Sequence, residues 1–139
     1  MADVEMVIDA LRQTSVEGQW VVILRGKSAE RYLPVYVGLS QAETIKRELV
    51  SAGTPRPLDE DLIYKDIVIT YSEVKAVRIH KFEGNRFTAR LILDTSEVDC
   101  PTATALAIAV RTSMAIFTDE VVLDKAGISF FIGEDFSHY

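Results

Sequence analysis

The chain has 139 residues, with hydrophobic residues at 48% and charged residues at 26%, which is the composition of one globular domain able to bury a core. Fifteen basic against twenty-one acidic residues give a formal net charge of -6, a balance that opposes extended non-specific binding to nucleic acid and leaves room only for a local basic patch. No run approaches the ~20 apolar residues of a membrane span, the first residues lack the pattern of a signal peptide, and the single cysteine forms no intrachain disulfide, so the expectation is a cytoplasmic protein with no membrane partner and no structural zinc.

Taken in chain order, Asp3 to Leu11 fits a strand or a short helix by its apolar spacing. Gln19 to Leu24 reads as a buried strand, and Arg31 to Val37 as its hairpin partner across Arg25-Gly26-Lys27-Ser28. A helix is predicted from Ser40 to Ala52. Ser40 and Glu43 have the spacing of a capping box, Ala42, Ile45 and Leu49 share one face, and Gly53 stands where a C-terminal cap belongs. Pro55 and Pro57 hold Arg56 on a stiff elbow. From Asp59 to about Thr70 the acidic start predicts a helix, although Ile67-Val68-Ile69-Thr70 leans towards strand.

Glu73 to Phe82 and Phe87 to Leu93 read as a second hairpin, across Glu83-Gly84-Asn85-Arg86. Pro101 to Ser113 is an alanine-rich helix, and Glu120 to Ala126, with Asp119 placed to cap it and Gly127 to end it, is a short last one. The fold class is therefore α+β: a single domain of two β-hairpin-plus-helix halves in pseudo-repeat, with a mostly antiparallel sheet packed by helices. The domain is expected over residues 1–127. Residues 128–139 form an aromatic tail that docks on the domain or on a second copy, which makes a homo-oligomer an expectation.

At this level the chain resembles the bifunctional nuclease (BFN) domain family. The resemblance is carried by Tyr32-Leu33-Pro34-Val35-Tyr36-Val37-Gly38, Pro55-Arg56-Pro57-Leu58 and Asp61-Leu62, and it continues through Phe87 to Leu93 and through Pro101 to Gly127. It favours a strand for the first segment. For activity it implies metal-assisted cleavage of RNA or DNA, with Glu60 and Asp61 holding Mg²⁺ or Mn²⁺ or activating water, and Arg56 gripping phosphate. Two family motifs depart here. Asp59-Glu60-Asp61-Leu62 stands where relatives usually show Thr-His-Asp-Leu, and Cys100-Pro101-Thr102-Ala103 where they show Arg-Pro-Ser-Asp. These losses also fit a non-catalytic, oligomeric binding or regulatory module that kept the fold.

Each candidate carries a plainer alternative. The three acids suit a solvated helix start, where neighbours turned about 100° apart cannot converge on one ion; Arg56 suits an internal ion pair with Glu60 or Asp61. Arg25, Lys27 and Arg31 form either a substrate-binding basic patch or an ordinary solvated turn. His80 alternates with Arg78 along a strand, facing away from Val77 and Ile79, and reads as a solvent-side histidine, and Cys100 reads as an inert thiol.

Overall fold

The computed structural model describes residues 3–28, 31–51, 61–64, 67–70 and 73–128. The elements are β1 (Asp3–Gln13), β2 (Gln19–Gly26), β3 (Tyr32–Gly38), α1 (Leu39–Ser51), β4 (Asp61–Tyr64), β5 (Ile67–Thr70), β6 (Ala76–Glu83), β7 (Arg86–Ile92), β8 (Glu97–Cys100), α2 (Thr102–Thr112), β9 (Ala115–Asp119) and α3 (Glu120–Ala126). Seven strands form one sheet in the order β3-β2-β1-β9-β6-β7-β8, while β4 and β5 pair separately. Every neighbouring pair in the large sheet is antiparallel except β6 with β9. No helix among the described residues is long and apolar enough to cross a membrane.

Each half is an antiparallel three-stranded meander followed by a helix, β1-β2-β3-α1 and β6-β7-β8-α2, and β9 joins the two by pairing with β1 on one side and β6 on the other. The first strand of each half carries a bulge, between Ile8 and Ala10 in β1 and between Ile79 and Lys81 in β6. The bulged residues are Asp9 and His80, so each meander bends at an equivalent place. This repeated architecture confirms the pseudo-repeat and enlarges each predicted hairpin by one strand.

Alternation along the strands sets the layers. Val22 and Leu24 join the main core with Leu33, Val35, Val77, Ile79, Ala89 and Leu91, whereas Val21 and Ile23 face the other way, towards Ala10, Tyr32 and Ile128. Onto the main core α1 brings Ala42 and Ile45, and α2 brings Leu106 and Ile108 among small alanines, whose size lets the helices approach closely. Ser113 closes α2 in a left-handed conformation, φ 57, with its N–H donating to Val110. Gly127 closes α3 for a different reason: its backbone is extended, but an added Cβ would lie 2.5 Å from the Leu123 carbonyl oxygen. Ile128 then exchanges both backbone hydrogen bonds with Tyr32 at the edge of β3.

Three expectations change. Asp59 to Thr70 is not a helix where it is described: Asp61–Tyr64 and Ile67–Thr70 pair as an antiparallel hairpin, because the β-branched run outweighs the pull of acids towards a helix start. The α1 cap sits two residues earlier than the predicted box, with the Gly38 amide donating to Gln41 Oε1 at 2.9 Å, and the Ser40 carbonyl instead accepts from Thr44 Oγ1. β8 and β9 are strands that the pattern did not announce. Gly53 and the proline elbow lie outside the described residues, as do residues 129–139 of the tail.

Candidate nucleic-acid interface

Parts of both halves come together at one place. A cleft of about 780 Å³ opens between β3, the β6–β7 turn, the start of α2 and the end of α3. The turn is fixed by its two central residues, Gly84 and Asn85, at φ 59 and 61, the conformation of a two-residue hairpin loop matched to the strand twist. That geometry sets Arg86 at the cleft beside Asn85 and Phe87, and Lys125 reaches it from α3. α2 begins at Pro101 with no side-chain cap, so its first amides are left to other acceptors. The Thr102 hydroxyl donates to the Phe87 carbonyl at 3.2 Å and ties the helix start to β7.

Electrostatically the cleft is unlike the rest of this acidic chain. Arg86 and Lys125 are exposed cations, and no Asp or Glu lines it among the described residues. Partial burial pushes the Tyr36 phenol above its ordinary value. The corner Cys100-Pro101-Thr102-Ala103 forms part of the wall and its backing. Ala103 lines the cleft, and Cys100 is buried in the core, where burial alone pushes its thiol up to about 12.

A second polar cluster occupies the sheet face opposite the helices. Arg78 stands 3.3 Å from Glu97, 3.5 Å from Asp119 and 3.9 Å from Asp3, spanning β6, β8, β9 and β1. Arg90 donates to Asp99 at 2.9 Å and reaches Glu97 at 3.5 Å. His80 lies on this polar face, as expected of a solvent-side histidine, but it is only partly exposed. As the bulge residue its Nε2 is buried without a hydrogen-bond partner among the described residues, and burial, reinforced by Arg90 and Arg78, lowers its pKa. These acids serve the guanidinium groups, and no group of three His, Cys, Asp or Glu side chains placed to hold a metal occurs among the described residues.

The predicted site residues are distributed as follows. Arg56 and Glu60 lie outside the described residues, and of Asp61 only the backbone, at the start of β4, is described. Arg25 and Lys27 sit beside β1, 3.2 Å from Asp9 and 3.2 Å from Glu5. Arg31 pairs with Asp124 of α3 at 3.1 Å. The three basic residues are thus distributed among three separate carboxylates. Arg86, Lys125, Asn85 and Tyr36 are not among the site residues that the sequence suggests: Tyr36 enters there only through the family motif, and Asn85 and Arg86 only as turn residues. The available signal was local: Gly84-Asn85 marks a hairpin turn that must fix whatever follows it, here Arg86.

The fold and cleft together define an α+β domain of two meander-plus-helix halves with a cationic cleft where the halves meet. The bifunctional nuclease domain family matches residues 22–131, and the chain belongs to that family. Among its relatives is an uncharacterized protein of Mycobacterium tuberculosis, MT1877 in strain CDC 1551 / Oshkosh. It is 35% identical over 125 residues, covering 89% of this chain and 76% of the relative. The protein Rv1829 of strain ATCC 25618 / H37Rv, also uncharacterized, matches with the same identity and coverage.

Proposed function

We propose that this protein acts on RNA or DNA, seating the phosphates of a strand in the cleft at the start of α2. One observation carries the reading: in a chain of net charge -6, this cleft has two cations and, among the described residues, no carboxylate in its lining. Phosphate neutralisation by Lys and Arg supplies most of the affinity for nucleic acid. An acidic body repels the strand elsewhere and favours one cationic opening. The uncapped amides of α2 add donors whose dipoles favour an anion.

Family membership supports going one step further, to a nuclease. In that reading Glu60 or Asp61 activates the attacking water and Arg56 grips the phosphate; the assisting ion is Mg²⁺ or Mn²⁺. A second reading, a binding module that has lost hydrolysis, is favoured by the corner at Cys100 and Ala103. A core thiol that stays protonated and a methyl group offer neither the charge nor the acid–base chemistry of the family's arginine and aspartate.

Labelled single-stranded RNA and DNA, incubated with the protein in Mg²⁺, Mn²⁺ or EDTA beside Asp61→Ala and Arg86→Glu variants, tests both. Cutting that Asp61→Ala abolishes and Arg86→Glu weakens supports the nuclease. Binding lost in Arg86→Glu without cutting supports the module. Undetectable binding by the wild type overturns the proposal.

A further inference from the structure

The same cleft holds three aromatic residues whose rings phosphate recognition does not use. Tyr36 comes from β3, 51% exposed, and Phe82 and Phe87 flank the Gly84-Asn85 turn. The two phenyl rings pack with centroids 4.6 Å apart at an interplanar angle of 42°. Both are only partly buried against the core. The face of an aromatic ring carries negative potential and repels an anion, so the two phenylalanines contribute nothing to holding phosphate, and Tyr36 can do so only through its hydroxyl, not its ring. Beside a cationic rim they match a ligand that is charged along one side and flat and apolar along the other.

A nucleic acid strand with unpaired bases is such a ligand. In a duplex the base faces are stacked inside and only edges reach a protein, whereas an unpaired base can turn out and stack on Tyr or Phe. The cleft volume, about 780 Å³, falls in the range of small-molecule sites, roughly 300–1,000 Å³, a size suited to a few nucleotides of one strand. We infer that this cleft selects unpaired strands, stacking bases on Tyr36, Phe82 and Phe87 while Arg86 and Lys125 hold the neighbouring phosphates. The inference rests on the nucleic-acid reading of the same cleft. Because every base has a flat face, stacking of this kind discriminates little among bases.

Fluorescence anisotropy in EDTA separates binding from cutting. Three labelled probes of equal phosphate count are compared: an oligo(dT) strand, a dT/dA duplex, and a strand with abasic sites in place of bases. The expected result is binding of the intact strand about tenfold tighter than either other probe. Tyr36→Ala and Phe87→Leu should each remove much of that advantage, and Tyr36→Phe should keep it. Tyr36 is half exposed and leucine keeps Phe87 apolar, so circular dichroism should show both variants folded. Equal binding of all three probes, weakened alike by Arg86→Glu, overturns stacking and leaves phosphate seating intact. Failure of every probe to bind overturns both.

Discussion

Glu48 of α1 and Arg111 of α2 face each other inside the helix layer, with Oε2 and Nη1 4.0 Å apart and only 10% and 9% of their side chains exposed. The contact ties the helix of the first half to the helix of the second, so it reports directly on how the halves are joined.

Removing one partner leaves the other's buried charge less compensated. Glu48→Ala should therefore lower stability by about 3–5 kcal/mol. Replacing both residues with well-packed apolar ones, Glu48→Leu with Arg111→Met, should fall between neutral and about 4 kcal/mol more stable. Urea unfolding of the three proteins decides. A Glu48→Ala variant as stable as the parent would mean that the pair carries no net energy.

The Asp3, Asp119 and Arg78 cluster predicts a pH effect of known sign. Burial raises the pKa of Asp119 above its ordinary value, a hydrogen bond with Asp3 raises it further, and Arg78 pulls the other way without reversing the result. A raised acid binds its proton more tightly in the folded state. Its stabilising contribution is complete below the ordinary carboxyl range and is lost as pH rises through the folded value. Asp119→Asn, which stays neutral, should gain on the parent between pH 3 and pH 7. Melting temperatures measured across that range should diverge in favour of the variant; parallel curves would show that Asp119 titrates normally.

How much of this was legible beforehand depends on whether the information was local. β2, β3, β6 and β7 announced themselves through β-branched and aromatic runs between turn residues, and α2 through its alanines. β8, only Glu97–Cys100, is a short edge strand with two acids in four residues, and β9 is Ala115–Asp119, which hides a buried Thr118 in its inward pattern. Asp59-Glu60-Asp61 misled because acids favour helix starts, whereas the hairpin that follows is held by cross-strand pairing of Leu62 with Ile69 and Ile63 with Val68. The cleft escaped for a different reason: Tyr36, Arg86, Thr102 and Lys125 come from four elements far apart in the chain, and only the tertiary packing makes them neighbours.

The β6–β7 turn offers a test of cleft geometry with little packing at risk. A Cβ at Gly84 would meet nothing within 4 Å, so the cost of Gly84→Ala is purely that of holding a left-handed backbone, about 1–2 kcal/mol. Asn85→Gly relieves the neighbouring left-handed residue and should be close to neutral. Thermal unfolding measures both. A Gly84→Ala variant that loses no stability would mean that the turn adopts another form.

Cys100 provides the last prediction. Burial pushes its thiol up to about 12, so almost no thiolate exists in the folded protein at neutral pH, and the sulfur is enclosed in the main core. Ellman's reagent should react with it at pH 8 only as fast as the protein opens, and rapidly in denaturant. The linkage works against the fold in alkali. Above its ordinary value of 9.0 the thiol ionises in the unfolded chain but not in the folded one, so this contribution to stability is lost as pH rises from 9 towards 12. Cys100→Ala removes that dependence, at the cost of a small cavity, and should leave the proposed nucleic-acid binding unchanged because the cleft wall is formed by its neighbours Pro101 and Thr102. Rapid labelling of the native protein, or loss of binding in a folded Cys100→Ala variant, would assign this thiol a part in the site that its burial does not suggest.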